Sequence, residues 1–377
     1  MERLRRVALS LFSGAGGLDI GVSQAGFEIL ACLEVDPYCC ETLRASTSRY
    51  NPATRVIEAD IRKVEPPNLM SELGLDPGEL DLLCGGPPCQ SFSQIGKLGA
   101  LKDERGLLLF QMVRFAEMFR PKAIFIEQVT GLLSAKDKQG QRGEVLQMLL
   151  SDLDKLGYAP KWKVVSSADY GVPQMRKRVF IVAVEKPNGF EFPSPTHGSA
   201  QETASLFPLQ PYVTVGEAIN DLDQPSLKGG GEAREDSHID VTPAGDRYRI
   251  HGVPEGSFLA AQRHLPKKQL GKLTKKDTTR FLRVARHKPA NTLRGGEIFF
   301  HPTEDRYLTP REYMRIHGYP DDYLLKGPIR GRSGSYRYLD QHRQIANSVP
   351  PPVARVIARE IERTLACQSF SKSSGIA

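Results

Sequence analysis

Apolar stretches of strand length alternate with amphipathic stretches of helix length through the first half of this chain. Residues 7–12 form a buried-strand pattern, and a glycine-rich turn and a short helical pattern follow it. Such alternation is typical of a parallel sheet covered by helices on both faces, which binds ligands beyond the carboxyl ends of its strands. Further strands are predicted at 29–34, 56–59, 82–84, 123–127, 162–166 and 179–184, with helices at 106–119 and 144–156.

The composition changes near Lys186, where Pro, Gly and Ser become frequent and helical periodicity fades. We therefore expect residues 1–186 to form a first domain and residues 187–325 a second, smaller and loop-rich one. Residues 326–377 are expected to return to the first domain. Helices are predicted at 310–317 and 352–365.

The cysteines and the hydropathy pattern exclude several classes of protein. The six cysteines show no CxxC spacing, so we predict no metal site, and their usage fits a reducing cytosol. No apolar run approaches the roughly 18 residues that a membrane span needs, so we predict no membrane partner.

Basic residues are concentrated in one segment of a chain whose formal net charge is +7. Residues 263–294 contain eleven Lys and Arg side chains and one acid, Asp277. A solvated charged face is an alternative about as common, but a block of this purity favours contact with phosphate.

The segment Asp81-Leu-Leu-Cys-Gly-Gly-Pro-Pro-Cys-Gln-Ser-Phe-Ser93 presents a thiol at the end of a predicted strand. Gly85 and Gly86 permit a sharp turn, and Pro87 and Pro88 then stiffen it. Cys89 is therefore a candidate nucleophile, although a buried structural cysteine is the alternative on this segment alone.

Glycines and acids follow consecutive predicted strands. The turn Phe12-Ser-Gly-Ala-Gly-Gly17 lets backbone amides approach a ligand, but Asp19 stands where the dinucleotide fingerprint requires a third glycine. Glu34 at the end of the second strand suits the hydroxyls of a ribose, and Asp60-Ile61 after the third could meet an adenine. Together they predict a nucleoside pocket beside Cys89.

Glu127 ends the strand that follows the thiol segment. If the two strands are neighbours, its carboxyl and the Cys89 thiol face one small space, which suits attack on an unsaturated ring with proton transfer elsewhere. Gln174, Arg176 and Arg178 alternate along a predicted strand and offer two guanidinium groups to phosphate or a base carbonyl. Solvated arginines on an edge strand are an equally good interpretation of that segment.

In this order the motifs resemble those of the DNA (cytosine-5)-methyltransferases, over roughly the first 185 and the last 90 residues. The matching pieces are Phe12-Ser-Gly-Ala-Gly-Gly17, Glu34, Asp60, Gly86-Pro-Pro-Cys-Gln-Ser-Phe-Ser93, Asp103-Glu-Arg-Gly-Leu107, Glu127-Gln-Val129, Gln174-x-Arg176-x-Arg178, Leu308-Thr-Pro-Arg-Glu312, Gly318-Tyr-Pro-Asp321 and Gln344-Ile-Ala-Asn-Ser-Val-Pro350.

The resemblance implies an α/β, Rossmann-like fold of the class that binds S-adenosylmethionine (AdoMet), with a smaller loop-rich target-recognition domain. It implies that Cys89 attacks carbon 6 of a flipped cytosine, that Glu127 and Arg178 hold the base and that Arg176 supports the loop or a phosphate. The residues expected to bind AdoMet are Phe12, Gly14, Gly16, Gly17, Glu34, Asp60, Ile61, Pro87, Asn347 and Val349. The residues expected to contact double-stranded DNA are Gln90, Ser91, Ser93, Gln174, Arg283, Arg286 and Arg294.

Three positions depart from the family pattern, of which Tyr319 in place of a common Phe is a mild change. Gln128 stands where Asn is usual, so the extra methylene could shift the Cys89 loop unless a neighbour compensates. Ala346 replaces a usual Gly, so its turn should avoid positive φ.

The sequence disfavours three other functions. The Cys-Phe-Thr tripeptide of the tRNA-methylating branch is absent, intact Cys89, Glu127 and Arg178 disfavour an unreactive DNA-binding homologue, and Asp19 disfavours a nicotinamide-dependent oxidoreductase. The compact chain predicts a prokaryotic, cytoplasmic, nucleoid-associated monomer, with a restriction endonuclease as functional partner.

Overall fold

A computed structural model of the chain describes residues 5–50, 52–88, 107–134, 143–187, 189–203, 208–228, 234–262, 264–270, 272–329 and 337–373. The chain forms two compact units. The first consists of Met1–Ser166, Lys177–Ser194 and Pro351–Ala377, and the second of Ser167–Arg176 and Pro195–Pro350.

These divisions differ from the boundaries expected from composition. The chain enters the second unit for ten residues after Ser166, well before Lys186, and remains in it until Pro350 instead of leaving near residue 325. The late departure has a packing reason, since the helix Gln341–Asn347 contacts the helix Pro310–His317, and His342 Nε2 hydrogen-bonds the carbonyl of Leu308 at 2.9 Å.

The first unit is a seven-stranded sheet with helices. Its strands are β1 Arg6–Leu11, β2 Phe27–Glu34, β3 Arg55–Glu58, β4 Leu82–Gly85, β5 Ala123–Val129, β6 Tyr158–Ser166 and β8 Lys177–Glu185. Its helices are α1 Gly17–Gln24, α2 Pro37–Tyr50, α3 Pro66–Glu72, α4 Leu107–Phe119, α5 Glu144–Lys155 and α13 Pro351–Ser373, with short 3-10 turns at Ile61–Lys63 and Thr130–Ser134.

The strand order is β3-β2-β1-β4-β5-β8-β6. The first five strands are parallel, whereas β8 runs antiparallel to both β5 and β6. The expectation of a wholly parallel sheet is therefore wrong at this edge. Ten residues join β6 to β8, fewer than the dozen or more that a parallel crossover needs.

Side chains alternate between two apolar faces of the sheet. Val7, Leu9 and Leu11 of β1 are buried in a cluster that includes residues of α3, α4 and α5. Ser10 points to the opposite face, where it meets the side chain of Asp19 on α1. Helix α13 packs on α1, and Gly21 lies against its backbone.

The second unit is rich in loops. Its helices are α6 Ala200–Thr203, α7 Val215–Ile219, α8 Ala244–Ile250, α9 Lys267–Leu270, α10 Lys275–Thr279, α11 Pro310–His317 and α12 Gln341–Asn347, with 3-10 turns at Ser167–Tyr170 and Leu259–Ala261. Two-residue strands pair in parallel as β9 His197–Gly198 with β10 Gln210–Pro211, β11 Ser226–Leu227 with β12 Ile239–Asp240, and β7 Gln174–Met175 with β13 Ala290–Asn291. Side-chain caps start the helices α7, α10 and α11, because Thr214, Thr274 and Thr309 each form a capping box with the acid three residues on.

The described residues also bear on two features considered from sequence, a membrane span and a metal site. In the part of the chain that the structure describes, no helix combines the length and the apolar character that crossing a bilayer requires. Across the same residues no three His, Cys, Asp or Glu side chains are grouped so that they could hold a metal ion.

Candidate active site

The carboxyl ends of five parallel strands meet at one edge of the sheet in the first unit. Leu11 pairs with Gly85, and Gly85 pairs with Ile126, so the residues that follow them in β1, β4 and β5 lie at one level. The neighbours of β1 are β2 and β4, so the strand order changes direction there. Crevices at such switch points are where open α/β sheets bind ligands.

The turn after β1 adopts conformations that favour glycine. Gly14 and Gly16 have φ of 54° and 72°, and Phe12 itself has φ of 55°. Gly16 is the N-cap of α1, which begins at Gly17. The turn thus brings the first amides of a helix to the switch point, where they favour a ligand's negative groups.

Glu34 ties the second strand to this turn. Its Oε2 accepts from the amide of Gly14 at 2.7 Å, and its Oε1 accepts from the amides of Val35 and Asp36 at 2.7 and 2.9 Å. Burial raises the pKa of the Glu34 carboxyl, and these backbone hydrogen bonds oppose the rise. The three backbone amides hold the Glu34 carboxylate in one orientation, and its remaining lone pairs can accept hydrogen bonds from hydroxyl groups.

Asp60 and Ile61 follow β3 as the sequence predicted. Asp60 caps the 3-10 turn that follows it by accepting from the amide of Arg62, and it also forms an ion pair with the Arg62 guanidinium at 2.6 Å. The hydrogen bond from Arg62 lowers the pKa of Asp60, and its side chain remains partly exposed.

A cavity of about 170 Å³ connects these strand ends. Its lining comprises Phe12, Leu33, Glu34, Val35, Ala59, Asp60, Ile61, Arg62, Pro88 and Leu108. Apolar walls with acids at one side suit the flat base and the hydroxyls of a nucleoside. The volume is below the range of about 300–1,000 Å³ common for whole drug-sized ligands, so the cavity is sized for one part of such a ligand.

Glu127 and Arg178 form a buried ion pair beside this cavity edge. Arg178 Nε lies 3.0 Å from Glu127 Oε1, and the Glu127 side chain is 9% exposed. A methyl group at Gly86 would come within 3.6 Å of Glu127 Oε2, so the thiol segment leaves β4 directly beside this carboxyl. The two strands pair in parallel, which meets the condition under which Glu127 and Cys89 were expected to share one space. Cys89 itself lies outside the described residues, so the distance from thiol to carboxyl stays a prediction.

Gln128 holds the start of the thiol segment. It is 1% exposed, and its Nε2 donates to the carbonyl of Pro87 at 2.6 Å. The longer side chain therefore reaches the turn that precedes Cys89. The sequence identified Gln128 as a departure from the family but not its partner, because nothing in its own segment names a carbonyl 41 residues away.

Gln174 and Arg176 do not continue into β8 as one strand with Arg178. Both belong to the second unit, where Gln174 is 0% and Arg176 1% exposed. Gln174 donates to His317 Nδ1 and accepts from the amide of Leu293, and Arg176 donates to the carbonyls of Ala346 and Ser348 at 2.8 and 2.9 Å. Both side chains are thus satisfied within the second unit, and Arg176 holds the carboxyl end of the helix Gln341–Asn347. The expected contact of Gln174 with DNA stays a prediction.

His317 completes that network and was missed from sequence. Because its Nδ1 accepts from Gln174, its Nε2 carries the ring hydrogen and donates to the Ser348 carbonyl at 3.0 Å. Ala346 lies inside α12 and has no positive φ, which confirms the expectation for that position. Asn347 is exposed and Val349 is buried in the second unit, so their contact with AdoMet stays a prediction.

The three arginines predicted to contact DNA have different environments. Arg283 is 5% exposed, pairs with Asp305 at 2.6 Å and donates to the carbonyl of Ile250, so its hydrogens are used within the protein and its contact with DNA stays a prediction. Arg286 and Arg294 are exposed. Gln90, Ser91 and Ser93 lie outside the described residues.

Comparisons with known proteins agree with this geometry. The model of the family "C-5 cytosine-specific DNA methylase" matches residues 7–363. The Type II methyltransferase M.NgoFVII of Neisseria gonorrhoeae is 33% identical over 364 residues, which cover 94% of this chain and 85% of the relative. M.AquIA of a Picosynechococcus strain, also a Type II methyltransferase, is 38% identical over 261 residues, which cover 66% of this chain and 100% of the relative.

Two solved structures share the fold. An Escherichia coli prophage protein, described as a DNA modification methyltransferase, matches with a TM-score of 0.68 and 20% identity over 96% of this chain and 99% of that one. A DNMT2 variant from Spodoptera frugiperda matches with a TM-score of 0.57 and 16% identity over 95% and 99%. With a family match over nearly its whole length and a Rossmann-like α/β sheet carrying the predicted acids at its strand ends, the chain belongs to the C-5 cytosine-specific DNA methylases.

Proposed function

We propose that this cytosine-5 methylase acts through Cys89 and Glu127 on a cytosine flipped out of duplex DNA. The observation that carries the proposal is the pairing of β4 with β5, which puts Glu127 beside the turn that leads to Cys89. Flipping costs a few kcal/mol, which contacts to phosphate and to the emptied stack must supply.

The residues divide the chemistry between them. The Cys89 thiolate adds to carbon 6, and the electron pair of the 5,6 double bond becomes available at carbon 5. Glu127 hydrogen-bonds the N3 and amine edge and supports the charge that develops in the ring, while Arg178 orients Glu127 and donates to the O2 carbonyl. Loss of the carbon 5 proton to a base and expulsion of the Cys89 thiolate restore the aromatic ring.

When bound, AdoMet would supply an electrophilic methyl group: carbon 5 would take it as its bond to the sulfonium sulfur breaks, and S-adenosylhomocysteine would be the leaving group. The chain's own contribution is to place it: Glu34 would accept from the ribose hydroxyls, Asp60 and Ile61 would meet the adenine, and the Phe12–Gly17 turn would hold the amino-acid part. Pro87, Asn347 and Val349 complete the proposed set.

We further infer a role in restriction–modification. The two relatives compared above are Type II methyltransferases by name, which supports a methylase that protects a short duplex target from a companion endonuclease. We propose that it works as a monomer in the cytoplasm of a prokaryote, close to the nucleoid.

A covalent trap tests the assignment. Bisulfite sequencing of DNA from an expressing host identifies the methylated site, and a duplex with 5-fluorocytosine at that site should then form a denaturant-stable complex in the presence of AdoMet. We expect Cys89→Ala to form none and Cys367→Ala, at an exposed cysteine, to match the wild type. The absence of methylated cytosine, or a complex that survives Cys89→Ala, would overturn the proposal.

A further inference from the structure

A buried polar cluster lies beneath the glycine turn and has no part in the mechanism above. Asp19, in the first turn of α1, is 6% exposed and hydrogen-bonds the hydroxyl of Ser10 on β1. Ser10 Oγ lies 2.8 Å from Ser13 Oγ in the turn itself, and Asp19 Oδ2 lies 3.7 Å from the thiol of Cys32 on β2. One carboxyl therefore joins β1, the turn, α1 and β2.

The donors in this cluster have fixed roles. The Ser10 hydroxyl donates its one hydrogen to Asp19, so the Ser13 hydroxyl must donate to Ser10. Burial raises the pKa of Cys32 far above its ordinary value, and the charge of Asp19 raises it further, so this thiol stays protonated and points its hydrogen at the carboxyl. A chain of hydrogen bonds, here called the relay, thus leads from Ser13 in the turn through Ser10 to Asp19.

Asp19 also shares an electrostatic environment with the cavity. Burial raises the pKa of Asp19 to about 6, the hydrogen bonds from Ser10 and Cys32 oppose the rise, and the charge of Glu34 adds to it. Above that pH the group is an anion, and the other titratable groups facing it are Cys84 on β4, Cys32 and Glu34. Asp19 and Glu34 therefore influence each other's charge, and Glu34 lines the cavity.

We propose that Asp19 is a positioning residue of the donor site, which holds the Ser13–Gly17 turn through Ser10 and Ser13 and thereby sets how tightly AdoMet binds. The inference rests on the proposed use of AdoMet. It also gives a physical reason for an acid at the position where a dinucleotide fold has glycine, because a glycine there would leave the Ser10 hydroxyl and the Cys32 thiol without their acceptor.

Calorimetric binding of AdoMet and S-adenosylhomocysteine to the full chain tests this role. Asp19→Asn and Ser10→Ala should each raise the Kd for AdoMet about tenfold, the size expected for a hydrogen bond to a charged group. Because both residues belong to one chain of hydrogen bonds, the double variant should raise the Kd for AdoMet no more than either single variant does. Asp19→Asn should affect AdoMet more than S-adenosylhomocysteine, which lacks the sulfonium charge, and should raise the KM for AdoMet while leaving kcat near wild type.

Asp81→Asn is the matched control. Asp81 is also a buried acid of the first unit, but it accepts from the amide of Val7 at the start of β1 and pairs with Lys122 at 2.7 Å. Its loss should lower Tm and leave the Kd for AdoMet unchanged.

The outcomes separate the two hypotheses. A wild type that binds no AdoMet would overturn the proposed function, whereas a wild type that binds it and a folded Asp19→Asn variant with the same Kd would overturn the inference alone. Additive losses in the double variant would also overturn it. If Asp19→Asn lowers Tm too far to be measured, Ser10→Ala gives the same decision.

Discussion

At the scale of single residues, one hydrogen bond of Gln128 predicts how its substitution will affect the rate of methylation. Its amide reaches the Pro87 carbonyl at 2.6 Å, and a side chain shorter by one methylene leaves that carbonyl and the turn before Cys89 unsupported. We expect Gln128→Asn to lower the single-turnover rate of methylation about tenfold, the equivalent of the 1–3 kcal/mol that an unsatisfied buried group costs. Gln147→Asn, on the exposed face of α5, should not change that rate. Equal rates for wild type and Gln128→Asn would contradict the prediction.

The arginines of the basic segment make a second prediction at this scale. Arg283 pairs with Asp305 and donates to the Ile250 carbonyl, so Arg283→Ala removes a buried guanidinium and its hydrogen bonds and should lower the free energy of unfolding by about 1–3 kcal/mol. Arg286 is exposed, so Arg286→Ala should leave stability nearly unchanged and weaken DNA binding. Urea unfolding and DNA binding of both variants test this prediction. An Arg283→Ala variant that keeps its stability but binds DNA more weakly would identify Arg283 as a DNA contact.

Residue types at strand ends could be assigned from sequence, but the partners of buried polar groups could not. Glu34 and Asp60 follow strands whose pattern is visible, and both line the cavity. Gln174 and Arg283 looked like free recognition groups because their partners are remote, with His317 lying 143 residues from Gln174. A guanidinium in a sequence does not reveal whether protein or phosphate will accept its hydrogens.

At the scale of elements, the contact of α1 with α13 depends on the absence of a side chain. A Cβ at Gly21 would lie 2.4 Å from the Ala354 Cβ and 2.6 Å from the backbone of Arg355 and Pro351. We expect Gly21→Ala to destabilise the protein by about 1–3 kcal/mol or more, because backbone atoms cannot move aside as a flexible side chain would. Gly245→Ala in α8, where nothing lies within 4 Å, should be neutral or slightly stabilising. Equal melting temperatures for the two variants would contradict this packing.

The turn at His301 makes the second unit sensitive to acid. The ring accepts at Nδ1 from the amides of Thr303 and Glu304 at 3.3 and 3.0 Å, which a protonated ring cannot do. Burial, chiefly, lowers the pKa of His301 from 6.5 to about 4. A histidine whose pKa is lower folded than unfolded contributes stability that is present above pH 6.5 and is lost as the pH falls towards 4, here at most about 3 kcal/mol. Urea unfolding between pH 7 and 4.5 should show this loss, and His301→Gln should reduce it while the exposed His287→Gln does not.

The elements themselves could be predicted where a pattern is long enough to repeat. The first five strands and the helices α4 and α11 begin and end within a few residues of the predicted positions. The strands show as short apolar runs and the helices as repeated helical spacing. The two-residue strands of the second unit have no periodicity to detect and were missed. The direction of β8 depends on the length of a connection that enters the other unit, which the strand pattern does not contain.

At the scale of the whole molecule, the units are assembled from separate stretches of chain, and composition detects such a division only in part. The change near Lys186 reflects the long stretch of the second unit that starts at Pro195. The ten-residue segment of Gln174 and Arg176 belongs to the same unit, yet it is too short to alter any average. Long-range hydrogen bonds, such as those from Arg176 to the Ala346–Ser348 turn, hold it there.

The last prediction concerns charge, since several lysines of the basic segment are exposed. Lys272, Lys275 and Lys276 are exposed, while the segment's one acid, Asp277, is buried and accepts from the amide and hydroxyl of Thr274. Each phosphate that a lysine neutralises adds about −0.9 to the slope of log K against log salt. We expect the Lys272→Gln/Lys275→Gln/Lys276→Gln variant to weaken DNA binding at 100 mM salt and to make that slope shallower by about two to three.

A triple variant of the first unit provides the matched control for that experiment. Lys155, Lys161 and Lys186 are exposed and pair with acids of the same unit, so replacing all three by Gln changes the net charge by the same amount. If binding followed net charge alone, the two variants would lose affinity equally, and the basic segment would have no special part in DNA contact. If the segment contacts phosphate directly, the first variant makes the slope shallower and the control leaves it within error of wild type. The long-range field of the control lysines is screened beyond about 10 Å at this salt, whereas each direct phosphate contact releases counterions and so contributes to the slope.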